Sequence, residues 1–386
     1  NNKLKQISFN FAFENTENLN NIVVDNSNPS EIVVSFPSTE YLLEYNLFDQ
    51  FDEFCQSIQI EKSENTTLFR LKGMGNLDYF INTINNTLTL TVFEKYTGRF
   101  SLKIAKPNNV DFNTITNIDY YNSNKFTITI PGNHIDFFKS NPISNNCNKV
   151  TDIAVSSTTT NTLITVKTSE LQAYKIYDYG TYILKNIDVP KNIFNKIVIL
   201  DAGHGGKDPG AVSRLTNEKD LNLKIIYTLM KNYFSGSAPD IKVYWTRTTD
   251  VFVELKDRAA YAKKMSADIF VSLHMNSWLY SSVNGSEVYY SKSNNSTGFS
   301  GITSKKMATI FKNNVIAAMD TVDRGVQAQK YTVVHQNTVP AILIELGFIS
   351  GSSDYSKITN LTYQKKAAQA IYDSIVETFK TYPTGR

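Results

Sequence analysis

Four side chains in this 386-residue chain have the types and the places to carry chemistry: His204, Glu218, His274 and Glu345. Three of them stand at or near the ends of apolar runs, KIVILDAGHGG (196–206), ADIFVSLHMNS (267–277) and PAILIELGF (340–348). Two imidazoles and two carboxylates converging on one place suit zinc, which takes three nitrogen and oxygen ligands from protein and keeps a fourth position for water. Glu218 opens NEKDLNLKI, where a carboxylate can either stabilise a helix N-terminus or serve as a ligand already fixed in the first turn. Glu345 inside AILIELGF is costly to bury unless it is paired or belongs to a site. Beside a metal it can act as general base and pass a proton to a leaving amine. The expectation from these residues is a zinc hydrolase. No H-E-x-x-H occurs, which excludes the thermolysin-like helix arrangement, and DAGHGGKDPG (201–210) has Asp208 where a dinucleotide fingerprint needs its third glycine.

The elements that must position these residues follow from the pattern. The three runs are continuous in Val, Ile, Leu and Ala rather than alternating, as in strands buried on both faces of a parallel sheet, and open α/β sheets bind ligands at the carboxyl ends of their strands. The pattern predicts strands over 196–202, 241–247, 267–275, 285–291, 331–335 and 340–348, and helices over 218–234, 254–265, 303–319 and 363–380. In the helix over 254–265, Leu255, Ala259, Ala262 and Met265 recur at three- and four-residue spacing. This alternation predicts an α/β domain over 191–386, a mixed, largely parallel sheet flanked by helices.

Residues before Asp188-Val-Pro-Lys-Asn read as all-β: short runs of β-branched and aromatic residues between Asn, Ser, Thr and Gly. NSNPSEIVVSFPS (26–38) is echoed by NSNKFTITIPG (122–132), and SIQIEKSENTTLFRLK (57–72) by DIAVSSTTTNTLITVK (152–167), with Tyr79 opposite Tyr174. The expectation is two copies of one small β module, 1–97 and 98–190, ahead of the α/β domain.

The net charge of +3 conceals an asymmetry: residues 1–190 hold 15 Lys and Arg against 20 Asp and Glu, whereas 191–386 hold 24 against 16. The basic half points to an anionic partner. The chain has no zinc-finger spacing, RNA-binding aromatic signature or dense basic stripe, which argues against nucleic acid. No run approaches the ~18 apolar residues of a membrane-spanning helix. NNKLKQ at the start carries neither an initiator Met nor a signal peptide. Cys55 and Cys147 are compatible with a disulfide or with two free thiols.

In order along the chain, DAGHGGKDPGA, EKDLNL, TRTTDVFVELKDRAAYA, SLHMNS, GSEVYY and PAILIELGFIS resemble the motifs of the zinc-dependent N-acetylmuramoyl-L-alanine amidases of bacterial cell walls, over roughly 195–380. The resemblance implies that His204, Glu218 and His274 bind Zn2+, that Glu345 is catalytic, and that the substrate is peptidoglycan, cut between N-acetylmuramic acid and L-Ala of the stem peptide. Gly351 departs from the family, which often has Asn there. The N-terminal modules resemble, in strand pattern and position, the AMIN-type wall-targeting domain. Beyond His274, Asn276 could hydrogen-bond peptide or acetamido groups and Trp278 could stack on a sugar; Arg247, at a strand end, could bind a stem-peptide carboxylate. The expectation is an exported, wall-associated enzyme whose β modules dock it on the wall or on a partner. Two other readings use the same residues: a non-catalytic wall-binding protein on an amidase scaffold, and a zinc peptidase acting within the stem peptide.

Overall fold

The computed structural model describes residues 6–13, 21–37, 55–63, 65–84, 87–94, 100–107, 109–180, 182–234 and 241–386. The chain forms two compact units, Asn1–Asp188 and Val189–Arg386. In the first unit one sheet has the order Val23–Asp25, Glu31–Pro37, Thr66–Gly73, Cys55–Lys62, and another has Gln6–Ala12, Thr87–Glu94, Leu77–Ile84. The same two orders recur in Thr116–Tyr120, Lys125–Pro131, Asn161–Thr168, Val150–Ser157 and in Leu102–Ala105, Tyr182–Asp188, Ala173–Asp178, the latter extended by Ser144–Asn145. The strands alternate as half-buried strands must: Phe69 and Leu71 face one core, Ile164 and Val166 the other. Each set thus has its own apolar cluster, the repeat falling at about 95 residues. Phe93 and Tyr179 meet edge to face, ring centres 5.2 Å apart. The boundary expected at 97 and 98 lies outside the described residues. Cys55 and Cys147 are both free thiols.

The second unit is built on a six-stranded mixed sheet. Its strands are β1 (Lys196–Ala202), β2 (Ile241–Trp245), β3 (Ile269–Asn276), β4 (Ser286–Tyr290), β5 (Asp323–Ala328) and β6 (Ala341–Phe348), in the spatial order β2-β1-β3-β6-β4-β5. The first four in that order run parallel, and β4 meets β6 antiparallel. Among the helices that accompany it are α1 (Glu218–Leu223, continued by a wide turn over Lys224–Leu229), α2 (Leu255–Lys264), α3 (Ser304–Met319) and α4 (Leu361–Thr381).

Strand alternation sorts the residues to two faces. Leu200, Val271, Leu273, Ile342 and Ile344 pack with Ile225, Phe311, Val315, Ile371 and Ile375 of α1, α3 and α4 in one large core. Their neighbours Asp201, Ser272, His274 and Glu345 therefore point to the opposite face, the one that Arg258 of α2 reaches. Burying each large apolar side chain in such a core contributes about 1.5–3 kcal/mol, and this fixes the register that holds the polar set on its own side.

One element expectation is corrected, and one strand was not expected. Residues 331–335 form no strand: Thr332–His335 is a helical turn that buries Val333 and Val334. The edge strand lies instead at β5, whose polar DRGVQA is half exposed and so lacks the apolar signature of its inner neighbours. Gly351 has a steric reason. A Cβ there would stand 2.5 Å from Asn284 Oδ1 and from Val283 O. Asn284 Oδ1 accepts from Ser353 N and Asp354 N at 3.1 and 3.0 Å, so the helix Ser352–Ile358 takes its N-terminal cap from another loop.

Candidate active site

His204 follows β1 in a left-handed backbone conformation, φ 60°, a rare state for a residue with a side chain. Its surroundings enforce it: Arg258 donates to the His204 carbonyl at 2.5 Å, and Gly205 and Asp208 exchange main-chain hydrogen bonds. The turn brings Asp208 Oδ2 to 2.7 Å from His204 Nδ1. With Nδ1 as donor to that carboxylate, Nε2 keeps its lone pair and faces Glu218 Oε1 at 3.2 Å.

Glu218 is the first residue of α1 and is buried. Its Oε2 accepts from Ala211 N at 2.9 Å, and its Oε1 from Met275 N at 3.0 Å, with His274 Nδ1 2.9 Å away. Burial alone would raise the Glu218 pKa, but hydrogen bonds and charge from His204 and His274 outweigh it and hold the carboxyl far below its ordinary range. His274 stands near the end of β3, its ring 4.9 Å from that of His204 at 79°. Gly203 makes room, since a Cβ there would lie 2.3 Å from His274 Cε1. Among the described residues, His204, Glu218 and His274 form a group able to hold a metal ion, one donor atom from each lying within 4.8 Å of the others.

Glu345 on β6 pairs with His274 on one side and Glu287 on the other, so all three share a face. Its Oε2 is shielded from solvent and, among the described residues, has no hydrogen-bond partner, although the residue as a whole is only partly buried. Burial, reinforced by the negative charges of Glu218 and Glu287, pushes its pKa well above the ordinary carboxylate value.

One layer beneath, Asp201 is fully buried and accepts from Thr246 Oγ1, Ser272 Oγ and Arg258 at 2.5, 2.6 and 2.7 Å. Burial would raise its pKa, but the Arg258 charge and the two hydroxyls hold it low. Arg258 also donates to the carbonyls of Ala202 and Val253. The network clamps the turn that carries His204.

The remaining expected contacts are placed as follows. Arg247 is 3% exposed and donates to the carbonyls of Ala202, Gly203, Lys219 and Thr249, so its guanidinium holds the loop rather than facing a cleft. Asn276 Nδ2 donates to Glu287 Oε1 at 2.7 Å, and its Oδ1 accepts from Ser277 N. Trp278 is 59% exposed, and its main-chain N–H donates to Ser350 Oγ. Sequence reasoning missed Asp208 as the partner of His204 and Asp201 as the buried anchor. The carboxylate four residues after His204 was the available signal for the first.

A family model described as N-acetylmuramoyl-L-alanine amidase matches residues 198–377. "Uncharacterized protein YqiI" of Bacillus subtilis (strain 168) is 36% identical over 183 residues, 47% of this chain and 84% of that protein. "N-acetylmuramoyl-L-alanine amidase LytC" of the same strain is 36% identical over 198 residues, 51% of this chain but 37% of that protein. Its "Sporulation-specific N-acetylmuramoyl-L-alanine amidase" is 31% identical over 197 residues, 48% of this chain and 69% of that protein. With the matched residues lying in its second unit, the chain belongs to the N-acetylmuramoyl-L-alanine amidase family.

Proposed function

We propose that this protein is a zinc-dependent peptidoglycan hydrolase that cleaves the amide between N-acetylmuramic acid and L-Ala of the stem peptide. The observation that carries the reading is the convergence of His204, Glu218 and His274 next to Glu345, whose buried oxygen is otherwise orphaned. Two imidazole nitrogens and one carboxylate suit zinc among the common divalent metals. His204, Glu218 and His274 would hold it, and when bound it polarises the scissile carbonyl and lowers the pKa of a water toward ~7.

The rest is the work of the chain. Asp208 fixes the His204 ring so that Nε2 faces the cluster, and the two main-chain donors to Glu218 fix its carboxylate. Burial and the charges of Glu218 and Glu287 raise the Glu345 pKa, which makes its carboxylate a stronger proton acceptor than a free one. It takes a proton from the attacking water as the oxygen bonds to the carbonyl carbon, then delivers it to the amide nitrogen as the C–N bond breaks. The excess of Lys and Arg in 191–386 fits an anionic wall polymer, and among the described residues no helix is long and apolar enough to cross a membrane. We further propose that the two β modules, 1–97 and 98–190, are AMIN-like, dock the enzyme on the wall or a partner protein, and act outside the cell. A fragment of 191–386 that sediments with sacculi as well as the whole chain would refute the docking role.

The test of the reaction is mass spectrometry of purified muropeptides after digestion, with and without a chelator. Intact stem peptide plus unsubstituted glycan, formed only without chelator, is the expected result. Products that keep L-Ala on the glycan would make it a stem peptidase, and no products at all a binding protein.

A further inference from the structure

Arg324 stands at a bulge in β5. Ser286 pairs with Asp323 and Val288 with Val326, so Arg324 and Gly325 together lie opposite Glu287. Across β3, β6, β4 and β5 the register therefore sets His274, Glu345, Glu287 and Arg324 in one row at the edge of the sheet. The Arg324 side chain is 39% exposed, its Nε is 3.8 Å from Glu287 Oε2, and its guanidinium carbon lies 5.0 Å from the Phe348 ring centre. At 3.8 Å the contact with Glu287 Oε2 is a loose ion pair and no hydrogen bond, and Asn276 takes the other oxygen, Oε1. Among the described residues the guanidinium has no hydrogen-bond acceptor. It differs in this from Arg247 and Arg258, which both lie buried against main-chain carbonyls.

We propose that Arg324 is a specificity residue that receives a carboxylate on the peptide side of the substrate, on the residue that follows the L-Ala of the cleaved bond. The inference rests on the amidase reading above. Distance supports it. Adjacent strands lie about 4.8 Å apart, so Arg324 is two strands, about 10 Å, from Glu345, and its side chain reaches back over Glu287. A peptide advances about 3.3–3.6 Å per residue, which carries the next residue's carboxylate from a bond cut beside Glu345 into reach of the guanidinium. A planar fork held over the Phe348 ring is pre-oriented for such a group.

The experiment uses the whole chain and two muramoyl peptides that differ in one place: a free carboxylate or its primary amide on the residue after L-Ala. The wild type is expected to favour the carboxylate by about tenfold in kcat/KM, the order of one charge-assisted hydrogen bond, chiefly through KM. Arg324→Met is expected to erase the preference, and Arg324→Lys, which keeps the charge without the fork, to fall between. Equal use of both substrates by the wild type, or a preference that survives in Arg324→Met, overturns the proposal. A purely structural Arg324 would slow both substrates alike and leave the ratio unchanged. Should neither substrate be cut, calorimetric binding of the same peptides decides: a carboxylate preference lost in Arg324→Met keeps the subsite while the amidase reading falls, and equal binding removes both.

Discussion

Each unit buries the charged end of one side chain without a hydrogen-bond partner among the described residues: Lys185 Nζ in the first, Glu345 Oε2 in the second. Their settings differ. Lys185 is 0% exposed, its nitrogen 3.2 Å from the ring centre of Phe126 and 3.5 Å from that of Tyr174. In the other β set Leu90, paired with Ile81, takes the place that Lys185, paired with Ile176, takes here. The aromatic faces partly offset the cost of a charge that an ordinary Leu avoids. Glu345 instead lies on a partly exposed residue, paired across the sheet with His274 and Glu287 and close to the charge of Glu218. An unpaired buried group is thus a better candidate for chemistry where groups of complementary type converge on it than where apolar and aromatic side chains enclose it. Asp201 and Arg258 are the third case, fully buried and fully paired.

Three substitutions press on that comparison. The largest effect is expected from Glu345→Gln, which keeps size and packing but removes the basic oxygen. Turnover should fall by ~10²–10⁴-fold, in kcat more than KM, with metal content unchanged by elemental analysis. Activity within threefold of wild type, far inside that ~10²-fold expectation, would make its unpaired oxygen as incidental as the Lys185 nitrogen. Next, Arg258→Met should destabilise the second unit by about 3–5 kcal/mol in chemical denaturation, because it leaves the Asp201 carboxylate buried without its counter-charge. A loss below about 1 kcal/mol would reduce the pair to the value of a surface contact.

The smallest effect has the opposite sign. Lys185→Met should stabilise the first unit by about 1–3 kcal/mol, the cost of an unsatisfied buried polar group, less what the aromatic contacts return. Burial holds the Lys185 pKa well below its ordinary 10.5, against a weaker upward pull from Asp119. The folded state therefore releases a proton that the unfolded chain keeps. The stability linked to this group is complete above 10.5 and is lost as pH falls through the depressed folded value. Wild type should gain stability as pH rises above the depressed folded value toward 10.5, and Lys185→Met should show a flatter profile in thermal melts. Parallel profiles would place a partner on Lys185.

What was legible in the sequence follows from burial. β1, β3 and β6 are covered on both faces, so their apolar runs announce both the strand and, by contrast, the His and Glu at its end. β5 is an edge strand with a bulge, and its polar composition resembles a loop. Val333 and Val334 resemble a strand because β-branched residues report burial as much as conformation. The partnership of His204 and Asp208 shows in the sequence only as a carboxylate four residues on, and it becomes a contact through a left-handed turn. Arg247 was placed near the cleft by its position at a strand end, yet depth decided its use: four carbonyls meet the guanidinium before any ligand could. The matching strand orders in the first unit follow the echoed segments because alternation leaves a trace even in Asn- and Thr-rich strands.

The borrowed cap at Asn284 ties together two stretches that are remote in the chain. Gly351 has no room for a side chain because Asn284 and the Val283 carbonyl fill that space, and Asn284 is held there by the amides of Ser353 and Asp354. Position 351 can therefore accept an asparagine only if the loop that carries Val283 and Asn284 gives way in the same step. In a comparison of relatives the two sites should vary as a couple, and a loop transplanted from an enzyme with its own cap would arrive with one asparagine too many.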